Sequence, residues 1–205
     1  IYRAGIVGCG RIGCGFDDDP KRRHISTHAG AYLKVHNIQL VALCDMDEEK
    51  LRRYGNKFGV SGLYTNYEEM LKTEKLHILS ICTWPDTHYV IAKAAAKSGV
   101  RAIFCEKPLT VNLKNADEMI EICKANKVVL MVDHQRRFDP FYQSLSVYMQ
   151  NGSLGRIQQV GFYYTAGITN TGSHMLDLLR FLFGDVNWVQ GTYSTNASPN
   201  LADPN

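Results

Sequence analysis

Tyr2-Arg3-Ala4-Gly5-Ile6-Val7-Gly8-Cys9-Gly10-Arg11-Ile12-Gly13 decides how this chain folds. The first half reads as a strand, Tyr2 to Val7, and it runs straight into a turn of the form G-x-G-x-x-G. Taken alone that pattern is weak, but here a strand precedes it, a helix follows, and a second strand from Gln39 to Cys44 ends in Asp45. In such a βαβ unit Gly8 permits the tight turn, Gly10 lets a pyrophosphate approach the backbone, and Gly13 allows close helix packing. The backbone N–H groups of the loop and the helix start then receive the anion.

The unit carries an insertion. Gly13-Cys14-Gly15 is followed by Phe16-Asp17-Asp18-Asp19-Pro20-Lys21-Arg22-Arg23, and Pro20 cannot sit inside a continuous helix. The helix proper is expected to start near Ser26 or Thr27, either one a suitable N-cap, and to run through Leu33. Lys21, Arg22 and Arg23 either reach a phosphate or are simply solvated. Asp45 either accepts hydrogen bonds from a ribose 2′-hydroxyl, which its charge would couple to a preference for NAD over NADP, or caps the helix beginning at Glu48.

Strand and helix patterns continue to alternate. Leu76 to Cys82 reads as a strand, Asp86 to Lys97 as a helix closed by Ser98-Gly99, and Val100 to Cys105 as a strand that delivers Glu106-Lys107-Pro108. Asn112 to Asn126 has helical apolar spacing, with Ala116, Met119, Ile120 and Cys123 on one face, and Val128 to Val132 reads as another buried strand. This alternation specifies an α/β fold with a doubly wound parallel sheet and right-handed crossovers. A lysine at the carboxyl end of such a strand lies where an open α/β sheet does its chemistry. The dinucleotide-binding domain is expected over residues 1–134 and a second, partial α/β domain with an open sheet over 135–205. In the latter, a helix opens at Asp139-Pro140 and ends at Gly152-Ser153-Leu154-Gly155. Strands are expected at Ile157 to Thr165 and Trp188 to Ser194, with a helix at Ser173 to Phe183.

Composition bounds the function. The 205 residues are 45% hydrophobic and 21% charged, as in a globular protein with its own core. Lys and Arg exceed Asp and Glu by only 23 to 20, too little to argue for nucleic acid or an anionic membrane. No apolar stretch approaches the roughly 20 residues that span a bilayer, and the expected compartment is the cytosol. Four cysteines (Cys44, Cys82, Cys105, Cys123) fall in apolar runs. Cys9 and Cys14 lack partner ligands, so neither a disulfide framework nor a metal site is read.

Five motifs occur in order: Gly8-x-Gly10-x-x-Gly13, Thr83-Trp84-Pro85-Asp86-Thr87-His88, Glu106-Lys107-Pro108, Arg137-Phe138-Asp139-Pro140 and Gly172-Ser173-His174-Met175-Leu176-Asp177. Together they make the chain resemble, over essentially its whole length, the glucose-fructose oxidoreductase / inositol dehydrogenase / rhizopine-catabolism (Gfo/Idh/MocA) family of NAD(P)-dependent oxidoreductases. The resemblance implies a Rossmann domain followed by an α/β domain whose open sheet often forms the oligomer interface, hence a homo-oligomer. It implies a sugar, cyclitol or related polyol as substrate and NAD as cofactor, with NADP as the second option. Lys107 would hydrogen-bond the reacting oxygen, its bond to Pro108 would be cis, and His174 would be the general base, with Asn170 holding its ring. Gly8, Gly10, Arg11, Ile12, Gly13, Asp45, Thr83, Trp84, His88, Glu106, Lys107 and Arg137 would bind the cofactor. Hydride removal from a secondary alcohol needs a base of near-neutral pKa and a cation beside the developing alkoxide, which fits that pairing.

Two departures stand out. The family often has aspartate where this chain has Asn170; Asp177, three residues after His174, either substitutes in part or is structural. Trp84 stands where proline is common, and either packs on the cofactor ring or covers the end of the sheet. The second domain also looks short, so the apolar face bearing Phe162 and Tyr164 is expected to be covered by chain beyond Asn205 or by another subunit. A cofactor-binding regulator without catalysis and an NAD-dependent glycosidase are the rival functions.

Overall fold

The computed structural model describes residues 1–164 and 167–192. They divide into two units, residues 1–133 and 134–205, of which the first carries all the strands among the described residues. Its strands are β1 (Tyr2–Val7), β2 (Ile38–Cys44), β3 (Gly62–Tyr64), β4 (Ile78–Ile81), β5 (Ala102–Cys105) and β6 (Val129–Val132). They form one sheet of order β3-β2-β1-β4-β5-β6 with every pairing parallel. The order reverses between β1 and β4, and this is the doubly wound dinucleotide-binding topology.

Side-chain alternation builds a core on each face. Val7, Leu79, Ile81, Ile103 and Cys105 point to one side, where the helices α3 (Tyr67–Glu74), α4 (Pro85–Lys97) and α5 (Leu113–Ala125) bury Met70, Ile91, Ala95 and Met119. Ala4, Ile6, Leu40 and Leu43 point to the other, under α1 (His28–Lys34) and α2 (Glu48–Phe58). Leu40 and Leu43 share a face although three residues apart, because the register shifts between Ala4 and Gly5 and Val41 is the extra residue.

The helix after the glycine motif begins late, as expected. Arg11–Gly15 makes a single π turn and Phe16–Asp18 a 3-10 turn. Thr27 then caps α1, its Oγ1 accepting from the Gly30 N–H at 3.0 Å. The insertion is tied down at both ends. Asp17 accepts from the Ser26 N–H at 2.6 Å and from the Thr27 hydroxyl, and Asp18 accepts from Arg53, Tyr54 and Lys57 of α2. Arg22 stacks on the Phe16 ring at 4.0 Å, and Arg11 does so at 4.6 Å.

Three expectations are corrected and two elements are added. The short β3 and the helix α3 are new, since three residues of strand are too few to show alternation. β6 is the edge of the sheet rather than a buried strand, with Val129 and Met131 exposed. On α5 Met119 and Cys123 are buried, but Ile120 faces outward. Finally, neither strand expected in the second unit forms among its described residues. Residues 157–164 and 188–192 have no regular structure, and Thr165, Tyr193 and Ser194 lie outside the described residues. A strand exists only by pairing, and these segments find no ladder partner there.

The second unit has helices at the expected places. α6 (Pro140–Gln150) is capped by Asp139, which accepts from the Phe141 N–H, and α7 (Ser173–Phe183) packs on it.

The glycines of the first turn differ in what they answer to. Gly8 has φ +96°, and a Cβ there would sit 2.6 Å from the Cys82 backbone. A Cβ on Gly13 would run into the Gly8 carbonyl oxygen, whereas one on Gly10 would meet nothing within 4 Å. Gly13→Ala should therefore destabilise the protein by about 2 kcal/mol or more, and Gly10→Ala by about 0.5 kcal/mol or less. Urea denaturation of the two variants beside the parent checks this, and equal losses would contradict it.

Candidate functional site

A parallel sheet places the carboxyl ends of all its strands at one edge, and the predicted site residues of the first unit gather there. The glycine loop follows β1, Asp45 follows β2, Thr83 follows β4 and Lys107 follows β5. Gly8 is pinned between the ends of β2 and β4, its N–H donating to the Cys44 carbonyl at 2.8 Å. Gly10 keeps an ordinary backbone conformation, φ −73°. Its Cβ direction opens away from the protein, so the need for glycine there fits the approach of a ligand such as a pyrophosphate. The N–H groups of Arg11 and Ile12 begin the π turn, where a helix start leaves donors without intrahelical partners.

Asp45 lies against this loop. Its Oδ2 accepts from the Cys9 N–H at 2.7 Å and its Oδ1 from the Asp47 N–H at 3.0 Å. The capping of α2 belongs to Asp47, which accepts from Glu49 and Lys50. Asp45 therefore keeps a carboxylate beside the loop, each oxygen with acceptor capacity left. All six cysteines are buried and free of disulfides. Cys9 is held as a thiol by its hydrogen bond with Cys14 and by burial, and burial pushes the Cys82 thiol up as well.

The loop around Lys107 rests on two buried histidines. His88, expected at the cofactor, is instead fully buried, with Nδ1 facing the Pro108 and Leu109 carbonyls at 3.1 and 3.2 Å and Nε2 facing the Thr83 carbonyl at 3.0 Å. It is a strut joining the segments after β4 and β5. Its only signal in the sequence, a histidine in a helix first turn, does not distinguish a strut from a ligand. Thr83 Oγ1 lies 2.7 Å from Thr87 Oγ1, and Trp84 begins α4 with more than half its surface exposed. Lys107 precedes a cis bond to Pro108, as the resemblance implies.

The second histidine, His28, was not singled out by the sequence. It opens α1 and enters the sheet face between β4 and β5, with Nδ1 2.9 Å from Ser80 Oγ and its ring 4.7 Å from that of Phe104. Its Nε2 lies 3.1 Å from Glu106 Oε1 and 3.6 Å from Asp133 Oδ2. Tyr32 completes the chain, its hydroxyl 2.7 Å from Ser80 Oγ. Burial pushes the Tyr32 phenol up to about 12, so it stays protonated. Tyr32, Ser80, His28 and Glu106 thus form one continuous hydrogen-bonded chain.

Glu106, expected to bind cofactor, is buried and engaged within this cluster; its Oε2 accepts from the Lys107 N–H at 3.2 Å. Burial drives its carboxyl upward, but the hydrogen bond and charge of His28, helped by Asp133 and Lys107 N–H, hold it below the usual carboxylate range. Asp133, at the end of β6, behaves in the opposite way. Burial and the Glu106 charge push it up to about 6, against the lowering pull of His28 and Lys107. The two carboxyls titrate as a pair, Asp133 displaced upward and Glu106 downward. No local sequence pattern singles out Asp133, since its partners come from α1 and from the end of β5.

In the second unit, His174 is the second residue of α7 and is buried, and its ring meets that of His134 edge-on at 6.2 Å. Asn170 lies in the single π turn Ile168–Gly172 just ahead of α7, where its carbonyl accepts from the Ser173 hydroxyl at 2.7 Å. Arg137, expected at the cofactor, is committed within this unit. Its Nε and Nη2 each reach the Asp177 carboxylate at 2.7 Å, and its guanidinium stacks on Phe181. This pairing occupies Asp177, which is thereby structural.

Residues 2–134 match the model of an oxidoreductase family described as having an NAD-binding Rossmann fold (GFO_IDH_MocA). The chain is 33% identical over 192 residues to the D-apiose dehydrogenase of Paraburkholderia graminis, covering 85% of this chain and 49% of that one. It is 31% identical over 217 residues to the inositol 2-dehydrogenase of Burkholderia cenocepacia, covering 98% and 61%. Among solved structures, the myo-inositol 2-dehydrogenase of Lactobacillus plantarum superposes with a TM-score of 0.75 at 27% identity, over 89% of this chain and 56% of that one. The chain thus spans about half to three-fifths of the length of these relatives. Among the described residues, no helix is long and apolar enough to cross a membrane.

The Asp133 shift has a sign that can be measured. Its folded-state value, about 6, lies above the ordinary aspartate value of 3.8, so the folded chain keeps a proton that the unfolded chain loses, and this contribution to stability falls as pH rises from about 4 through 6. Asp133→Asn removes the cost of ionising the buried group. It should stabilise the protein by about 1–2 kcal/mol at neutral pH, with the gain vanishing toward the unfolded-state value. Urea denaturation at acidic and neutral pH checks this; a variant less stable than the parent at neutral pH would contradict it.

Proposed function

The chain belongs to the Gfo/Idh/MocA family of oxidoreductases, and from that premise we propose that it is the cofactor-binding part of an NAD-dependent dehydrogenase acting on a hydroxyl group of a sugar or cyclitol. The observation that carries this reading is the convergence of the glycine loop, Asp45 and Lys107 at the carboxyl edge of one parallel sheet. The relatives named as inositol and apiose dehydrogenases support the substrate class.

In this reading the N–H groups at Gly10, Arg11 and Ile12 receive the pyrophosphate, and Gly10 admits it. Asp45, already accepting from Cys9, accepts further from the ribose 2′-hydroxyl and repels a 2′-phosphate, which favours NAD over NADP. The nicotinamide ring, when bound, supplies the hydride acceptor. Lys107 places its ammonium at the substrate oxygen and stabilises the negative charge that develops there. His174, held by Asn170, takes the hydroxyl proton on its imidazole. The exposed apolar side chains of the second unit, Tyr163 and Trp188 among them, support assembly through that unit into a homo-oligomer, in the cytosol.

Two substitutions test the assignment in the full-length protein, followed by absorbance of reduced nicotinamide with sugars and inositols as substrates. Lys107→Met should lower kcat/KM by about a hundredfold or more while NAD binding persists. Asp45→Asn should weaken NAD binding by about tenfold. Turnover without net NAD reduction would indicate the glycosidase instead, and cofactor binding with no turnover the regulator. Unchanged turnover in Lys107→Met would remove the lysine from the chemistry.

A further inference from the structure

The ends of β5 and β6 and the start of α1 bring three metal-ligating side chains of the first unit to one point. Glu106 and Asp133 follow directly on their strands, and the parallel ladder fixes both backbones. The Glu106 N–H donates to the Ile81 carbonyl at 2.9 Å and the Asp133 N–H to the Cys105 carbonyl at 2.8 Å. His28 Nε2 lies 3.1 Å from Glu106 Oε1 and 3.6 Å from Asp133 Oδ2, and one ligand atom from each residue lies within 4.8 Å of the other two.

Hydrogen bonding accounts for only part of this arrangement. A proton on Nε2 would serve Glu106, but Asp133 at 3.6 Å is beyond hydrogen-bond range of the ring. The two carboxylates then meet as like charges with little water around them, their side chains being only 10% and 15% exposed. A divalent cation answers both needs, since it neutralises the pair and takes the imidazole lone pair as well. The spacing suits such an ion: the corners of a tetrahedral zinc site with bonds of about 2.1 Å lie about 3.4 Å apart. The ring is also held from behind as a metal ligand is held, with Nδ1 2.9 Å from Ser80 Oγ. One imidazole and two carboxylates suit a first-row transition metal better than Ca²⁺, which takes about six to eight oxygens.

We propose that His28, Glu106 and Asp133 form a buried binding site for one divalent transition-metal ion, with Zn²⁺ as the fitting case and water at the fourth position. The ion ties the start of α1 to the ends of β5 and β6. Glu106, whose Oε2 accepts from the Lys107 N–H at 3.2 Å, carries that constraint into the Lys107 loop. No step of the proposed hydride transfer runs through the ion, so the site stands or falls independently of the dehydrogenase reading.

The test uses the full-length protein, stripped with a chelator, dialysed and titrated with Co²⁺ under visible absorption. It should bind about one ion per chain, with the d–d bands of a four-coordinate site and no thiolate-to-metal charge-transfer band in the near ultraviolet. Zn²⁺ should displace the cobalt and, at a hundredfold excess over Kd, raise the melting temperature by about 5 °C, because only the folded chain assembles the three ligands. Mg²⁺ should do neither. Asp133→Asn keeps the shape of the side chain and should weaken cobalt binding by about a hundredfold or more, and Ser80→Ala by about tenfold. Replacing an exposed histidine, His24→Asn, should leave binding unchanged. The gain in stability expected of Asp133→Asn at neutral pH belongs to the metal-free protein; with Zn²⁺ the parent should become the more stable of the two. An unchanged melting temperature of the parent with Zn²⁺, binding that survives Asp133→Asn, or a charge-transfer band marking the cysteines overturns the proposal.

Discussion

The close approach of Gly8 to the backbone of Cys82 is the constraint on which the site depends. It brings the exit of β1 against the exit of β4, at the point where the strand order reverses, and leaves no room there for a side chain. Gly13 then lets the following turn close over the Gly8 carbonyl. Once the loop is fixed in this way, Asp45 reaches the Cys9 N–H from the next strand and the edge of the sheet acquires its donors and its carboxylate. The insertion that follows can wander because it is anchored elsewhere, through Asp17 to the cap of α1 and through Asp18 to α2.

A second constraint is the polar cluster under Lys107. Ser80 lies on an inner face of the central sheet with none of its surface exposed, a position where an apolar residue would be ordinary. It is accounted for by His28 and Tyr32, and His28 is in turn accounted for by Glu106 and Asp133. The apolar core and the site therefore meet in one hydrogen-bonded chain, which ends at the backbone of the lysine. The opposite displacements of Glu106 and Asp133 follow from which of the two lies closer to the histidine.

The second unit is governed by a different need. Its helices are locally complete: Asp139 caps α6, and Arg137 with Asp177 ties the start of the unit to α7. Its expected strands are not locally complete, since a strand takes its hydrogen bonds from another strand. Ile157, Val160 and Tyr163 remain exposed among the described residues.

The parts whose causes are local could be read from the residues alone. The strand Tyr2–Val7, the delayed start of α1 at the Thr27 cap, the limits of α7 and the G-x-G-x-x-G turn all came from alternation, capping and glycine or proline stereochemistry, which act over a few residues. Lys107 and Asp45 were legible because a residue at the carboxyl end of a strand has a known place in such a sheet. The remainder depends on contacts between residues distant in sequence. His28, Ser80 and Asp133 are far apart in sequence and gain their meaning from meeting between β4, β5 and β6, while His88 and Arg137 take carbonyls and a carboxylate as partners that no local pattern announces. The same holds for β6, which reads as a buried strand and is an edge, because burial is set by neighbours and not by the strand's own residues.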